Sequence, residues 1–491
     1  MHFSDIGRTL RYLRRNGIKE TRNAVRERLH QKDDYTYAEP SSEEIERQRA
    51  DKDPEDVTIS IVVPAYCTDP AYMKALISSV NAQTYDRWEL LIADASDDDG
   101  VLSVVRSIPG AVISVDGSSV STAAACVCKA EDIKCAERER VFKDRTIRYI
   151  RLENNDGISA NTNEAIEYAG GEYVSLLDHD DLLTPDAMYR TAKAVMKSER
   201  PVMVYSDEDK TDSEGLKYFD HNDKCDWNLD MILSNNYICH LMTVRRDIFD
   251  DIEYRQEYDG AQDYDLILQM TGILLKNGIR PSELASSFVH IPYVLYHWRV
   301  SPQSTAGNTS SKEYAYEAGR RSLESFFTAI QIQAVVRHSK HLGFYEVQYL
   351  PNIFSARSDV GAVCGRVYNA DGGIDSCMAD MKGIRMFTGM HDGESGHMHR
   401  FDITQDIGNV DIRCLKLRRS LWHDFENVTG CQYSECADTS AWDYRSWAQK
   451  YNVDHNGEMP DMAECSVKIS EFLKDKGYLM VYDPSFSTYI K

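Results

Sequence analysis

The chain has 491 residues, more than one hydrophobic core usually supports, so two or three domains are expected. A net charge of -23 argues against a general nucleic-acid binder, which needs cationic surface to displace counterions, and no apolar run is long enough to span a membrane. The opening MHFSDIGRTLRYLRR lacks an apolar signal core and the 12 cysteines are irregularly spaced, so a cytoplasmic protein is expected.

Residues 1–32 carry nine Lys and Arg against three acids. Apolar positions Ile6, Leu10, Leu13, Ile18, Ala24 and Leu29 predict two short helices broken near Asn16-Gly17. Two roles are open for them: peripheral contact with an anionic membrane surface, or a solvated pair packed on the protein. The acidic stretch Tyr37 to Glu55 reads as a linker.

From Val57 the β-branched run VTISIVVPAY predicts a buried parallel strand stopped at Pro64. A helix over about 70–82 and the strand WELLIAD complete a βαβ unit, whose ligands bind beyond the strand C-termini. Residues 109–145, rich in Gly, Ser and Ala and containing Cys126, Cys128 and Cys135, read as a surface insertion. The rhythm resumes with IRYIRLE, the loop NNDGIS, a helix through NTNEAIEYA, and the strand EYVSLLDHDDLL. Thr184-Pro185 predicts the next helix start, with Thr as N-cap and Pro at its first position. PVMVYSDEDK is a further strand ending in acids, so three strands bring Asp94, Asp178 to Asp181 and Asp207 to Asp209 toward one sheet edge.

In LLDHDD, Asp178 and Asp180 alternate after an apolar strand end, a costly pair unless a cation compensates it. Oxygen ligands suit Mg²⁺ or Mn²⁺, which would leave positions for phosphate oxygens. A solvated acidic loop is the alternative for the tetrapeptide alone.

The pieces ISIVVPAY, WELLIADAS, NNDGISANTNEA, SLLDHDDLLTPDA, VYSDEDK, NNYICHL, GAQDYDL and HIPYVLYHWR, in order from about 57 to 305, resemble the inverting family 2 glycosyltransferases of GT-A fold. The resemblance implies a Rossmann-like α/β domain over 56–335. It also implies nucleotide contacts from Pro64, Ala65 and Tyr66 and a base-imide contact from Asp94, although Cys67 stands where Asn is commoner. Without the family, Pro64 and Tyr66 are a strand stop and a packed aromatic. Gly157 permits a tight turn before a helix whose amides can face an anion, and Asn161 is either a donor contact or an ordinary cap.

The family's catalytic base falls on Asp263, which would take the acceptor hydroxyl proton as that oxygen attacks the anomeric carbon. Asp265 points to another helix face. In HIPYVLYHWR the resemblance implies His297 as a third metal ligand beside Asp178 and Asp180, and Arg299 as a diphosphate contact; a lone histidine is otherwise usually structural. The implied partners are a UDP- or dTDP-sugar donor and a glycan or polyprenyl-linked glycan acceptor of a bacterial-type surface polysaccharide.

After about 340 the chain echoes the acceptor half. LMTVRRDIF (241–249) matches CLKLRRSLW (414–422), and AQDYDLILQM (261–270) matches AECSVKISEF (463–472), with Cys465 in place of Asp263. GAVCGRVYNADGGIDS (361–376) also looks like a family stretch. Residues 340–491 therefore read as a truncated GT-A-like domain without catalysis, and the irregular cysteines there exclude a zinc module. Two rival readings stand: a non-catalytic glycan-binding scaffold of worn transferase domains, and a nucleotidyltransferase, which lacks its Gly-rich activation loop here.

Overall fold

The computed structural model describes residues 3–30, 35–54, 56–109, 111–115, 118–121, 127–129, 142, 144–300, 313–436, 441–454 and 459–490. Strands β1 (Ile59–Ala65), β2 (Trp88–Asp94), β3 (Val112–Val115), β4 (Ser118–Ser121), β5 (Val127–Lys129), β6 (Thr146–Arg151), β7 (Tyr173–Leu176), β8 (Leu182–Leu183), β9 (Met203–Thr211), β10 (Tyr218–Asn222), β11 (Met242–Arg245) and β12 (Phe288–Arg299) form one mixed sheet. Its order is β5-β4-β3-β6-β2-β1-β7-β11-β9-β12-β8, with β10 on β9. From β3 to β7 the neighbours are parallel, and β11 enters antiparallel between β7 and β9.

All residues of β1 and β2 are buried, Ser60, Glu89 and Asp94 among them, as near-continuous apolar runs require when helices cover both faces. The period of two divides β1: Ile59, Ile61 and Val63 pack with Met73 and Leu76 of the helix Pro70–Asn81, while Val62 packs with Ala165 and Ile166 of the helix Ile158–Glu167. This is the mostly parallel α/β architecture expected of a GT-A fold.

Two expectations are corrected. Part of the acidic stretch is the helix Ser42–Ala50, not a linker: Ser41 Oγ accepts from the Glu44 amide, and Gln48 is buried against Thr84. The segment straps along the sheet, with Tyr35 donating to Asp209 at 2.9 Å. Within 109–145, β3, β4 and β5 extend the edge of the sheet beyond β6; Cys126 and Cys135 lie outside the described residues. The helix predicted at Thr184-Pro185 begins instead at Ala187, because Thr184 Oγ1 donates to Asp186, and Asp186 takes the cap position.

A hairpin of β13 (Ala334–His338) and β14 (Tyr345–Tyr349) leads to a second sheet of β15 (Val360–Tyr368), β16 (Gln405–Asp406), β17 (Leu415–Leu417) and β18 (Leu479–Tyr489), in the order β16-β18-β15-β17. Here β15 is antiparallel to β17 and parallel to β18. In the large sheet β9 is likewise antiparallel to β11 and parallel to β12. The helices Gln262–Lys276 and Met462–Asp475 precede the last strand of each set.

Arg357 joins the two sheets: it is buried, lies 3.4 Å from Asp230 and 2.6 Å from Asp359, and Asp406 accepts from the Asp230 amide. Removing one partner of a buried pair strands the other's charge, so Arg357→Ala is expected to cost about 3–5 kcal/mol of unfolding free energy. Urea denaturation checks this; a loss below about 1 kcal/mol, within reach of an ordinary surface substitution, would contradict it.

The N-terminal helix Phe3–His30 kinks at Gly17, where φ is +80°. Its second half docks on the C-terminal part: Glu27 accepts from the Gly396 amide at 2.7 Å, and Lys19 approaches Asp392. Nearby, His399 stacks on His341 at 3.7 Å between ring centroids, and burial together with His341 pushes its pKa down to about 4. The unfolded chain therefore takes up a proton near pH 6.5 that the folded chain refuses until about 4. This contribution is fully present above 6.5 and is lost as pH falls toward 4, by at most about 3 kcal/mol. The melting temperature of His399→Gln should fall less than that of the parent between pH 7 and 4.5; parallel curves would refute the assignment.

Candidate active site

Beyond the end of β7 the chain places Asp178, His179 and Asp180 in a cleft of about 1190 Å³. Pro64, Cys67 and Thr68 reach it from the end of β1, and Trp298 from β12. The helix Gln262–Lys276 contributes Gln262, Asp263 and Tyr264 from its first turn, and the helix Glu313–Ala329 contributes Tyr314 and Tyr316. The cleft thus opens beyond the carboxyl ends of parallel strands, where such sheets bind ligands.

The Asp178 side chain is 49% exposed. Burial, opposed by His179 and reinforced by Asp178, holds the Asp180 carboxyl above its ordinary pKa. Arg299 Nη2 and His179 Nδ1 are buried with no hydrogen-bond partner. Two carboxylates crowding one polar cleft, one of them reluctant to ionise, suit a hard divalent cation. Asp181 has a different role: fully buried, it accepts from the Tyr296 hydroxyl and from the Arg299 amide at 2.7 Å, bracing the loop against β12.

Asp263 is half-buried in the cleft wall. Burial pushes its pKa up to about 6, with His240 opposing and Asp178 adding to the shift. Asp265 is buried elsewhere: Arg255 donates to both its oxygens at 2.5 and 2.8 Å, and Ser322 and Gln269 also donate to it. The two acids of GAQDYDL therefore separate into one facing the cleft and one holding the helix.

His297 is not placed with Asp178 and Asp180. Side chains alternate along β12, so Trp298 faces the cleft while His297 meets Tyr37 and Tyr218 and lies 2.5 Å from Asp209. Arg299 is buried rather than in the cleft lining: it donates to the Asp180 and Ser213 carbonyls, and its guanidinium lies 4.5 Å from the ring of Tyr72, a cleft residue. The acids of β9 are also spent elsewhere, Asp207 on His290 and the Lys224 amide, and Asp209 on His297 and Tyr35.

Asp94 lies behind the cleft, accepting from Ser96 and from the Tyr149 hydroxyl at 2.8 Å. Pro64 lines the cleft, whereas Ala65 is buried and Tyr66 points out at 46% exposure, neither of them in the lining. Gly157, at φ +98°, is the N-cap of Ile158–Glu167, and a Cβ there would meet Asp259 at 3.1 Å. Asn161 donates to Asn155 and accepts from the Asp156 amide, so it holds the NNDG loop from within.

His240 escaped the sequence reading. Its Nε2 lies 3.6 Å from Asp178 Oδ2, and its ring stacks on Tyr296. Burial opposes its protonation, but Cys239, Asp178 and Asp263 hold its pKa well above the usual imidazole value. Its signal in the sequence is the piece NNYICHL, one of the stretches that resemble the family.

Residues 111–253 match the family model described as glycosyl transferase family 2. The uncharacterized protein y4gI of Sinorhizobium fredii is 35% identical over 268 residues, 54% of this chain and 25% of its own length. The O-antigen biosynthesis protein RfbC of Myxococcus xanthus is 28% identical over 270 residues, 54% of this chain and 18% of its own. The chain thus spans a quarter or less of the length of these two relatives. Among solved structures, S. aureus TarS 1–349 in complex with UDP-GlcNAc aligns at TM-score 0.35 and 15% identity, covering 56% of this chain and 70% of that one. Residues 111–253, which lie within the part of the chain that carries the large sheet, thus resemble glycosyl transferase family 2.

Proposed function

We propose that the chain is a metal-dependent, inverting glycosyltransferase that moves a sugar from a UDP- or dTDP-sugar to a glycan or polyprenyl-linked glycan during surface-polysaccharide synthesis. One observation carries the reading. Asp178 and Asp180 from one segment and Asp263 from another open into the same cleft, which is large enough for a nucleotide sugar and an acceptor end. TarS supplies the precedent of a UDP-GlcNAc complex, and WfgD of Escherichia coli, 27% identical over 144 residues, is named as a glucosyltransferase that uses UDP-Glc.

Asp178 and Asp180 would hold Mn²⁺ or Mg²⁺, which supplies charge neutralisation to the leaving diphosphate. Asp263 accepts the proton of the acceptor hydroxyl, whose oxygen attacks the anomeric carbon as the bond to the diphosphate oxygen breaks. Attack opposite the leaving group inverts the centre without a covalent enzyme intermediate. Trp298, Tyr314 and Tyr316 give the acceptor side aromatic faces suited to sugar rings. Residues 340–491 would be a truncated repeat of the acceptor half, where Cys465, the counterpart of Asp263, is buried and reaches the Thr429 carbonyl instead of a cleft.

No helix among the described residues is long and apolar enough to cross a membrane. We place the protein in the cytoplasm, reaching lipid-linked acceptors at the inner membrane face through the basic residues near its N-terminus.

The reading is tested with UDP-, dTDP- and GDP-sugars plus Mn²⁺ or Mg²⁺, scored by thermal shift and then by turnover. Stabilisation by a pyrimidine nucleotide sugar that requires the metal is expected. No response to any nucleoside diphosphate would sink it.

A further inference from the structure

The cleft holds a second group of metal-ligand atoms beside the all-oxygen pair. Cys239, His240 and Asp263 each present one ligand atom, and the three atoms lie within 4.8 Å of one another. All three residues line the cleft, so an ion from solution reaches them. Cys239 is a free thiol, and the His240 ring is held in place by its stacking on Tyr296.

Sulfur, imidazole and one carboxylate make a set that selects zinc-like cations, whereas Asp178 and Asp180 suit Mn²⁺ or Mg²⁺. Around tetrahedral zinc, bonds of about 2.0–2.3 Å set ligand atoms roughly 3.3–3.8 Å apart. The group therefore closes on an ion by side-chain contraction of little more than an ångström, releasing the Cys239 thiol proton. Three protein ligands leave a fourth position toward the cleft, the arrangement of an open site and not of a closed structural one.

We propose that Cys239, His240 and Asp263 bind Zn²⁺ reversibly, and that the bound ion silences transfer by occupying the carboxylate that would otherwise receive the acceptor proton. The inhibitory half rests on Asp263 being the base; the binding half stands without it.

The test titrates Co²⁺ into the reduced, chelator-treated full chain without nucleotide and follows the near-ultraviolet cobalt–thiolate band. The band is expected in the parent, is displaced by Zn²⁺, survives Cys67→Ser in the same cleft, and disappears in both Cys239→Ser and His240→Gln with their melting curves still cooperative. A band absent from the parent, or persisting in Cys239→Ser, overturns the site. In turnover assays under excess Mn²⁺, Zn²⁺ should inhibit the parent, and Cys239→Ser should need at least tenfold more Zn²⁺ for the same fractional loss. A parent that shows the band but keeps full turnover overturns the inhibition alone. A parent that shows the band but transfers from no donor refutes the transferase reading while leaving the metal site standing.

Discussion

Asp263→Asn is expected to lower turnover by about 10²–10⁴-fold, the usual contribution of a positioned general base. Donor binding should be nearly unchanged, because the proton it accepts belongs to the acceptor. The amide keeps the size of the carboxyl, and burial already raises the carboxyl pKa to about 6, so ionised Asp263 opposes folding at neutral pH. The variant's melting temperature should therefore not fall, which separates lost chemistry from lost structure. The same shift sets the pH profile: the base works ionised, so kcat/KM is flat above about pH 6 and drops about tenfold per unit below it. Transfer by Asp263→Asn within a few-fold of the parent would exclude Asp263 as base.

The elements nearest the site were the most legible in the sequence. VTISIVVPAY and WELLIAD announce buried parallel strands because covering both faces demands near-continuous apolar runs, and the strands they form, Ile59–Ala65 and Trp88–Asp94, are wholly buried. The helix at Ser42–Ala50 was missed because the acidity of its stretch suggested a linker, although Ser41 with Glu44 three residues on carries a helix-start pattern. His297 shows what a motif omits. HWR holds two side chains on one strand face and one on the other, and only the approach of β12 to the rest of the sheet decides that Trp298 meets the cleft. His240 was hidden for a related reason. Its neighbours Asp178 and Asp263 belong to distant segments that meet because β11 is inserted antiparallel between β7 and β9, a pairing no local pattern specifies. Asp94 shows the converse: it follows a strand as a ligand residue would, yet Ser96 and Tyr149 engage its carboxylate.

Asp180→Asn is expected to move stability and donor response in opposite directions. The Asp180 carboxyl sits above its ordinary pKa, first from burial and then from Asp178, with His179 and Arg299 only partly opposing. A raised carboxylate pKa means that the folded chain holds the proton more tightly than the unfolded one. Its ionisation therefore erodes stability as pH rises past the unfolded value near 3.8, and the penalty is present at pH 7. The neutral amide removes it while leaving the backbone carbonyl that receives Arg299 Nε at 2.6 Å, so the variant without nucleotide should melt higher than the parent. With UDP and Mn²⁺ the order should reverse. In the parent, a ligand at about 100 times its dissociation constant adds about 2.7 kcal/mol, and a variant unable to hold the cation forfeits most of that gain. Thermal shift with and without UDP and Mn²⁺ checks both halves. A variant that gains as much as the parent from the pair would remove Asp180 from the metal site; one that melts lower on its own would show that its charge is compensated within the fold and needs no cation.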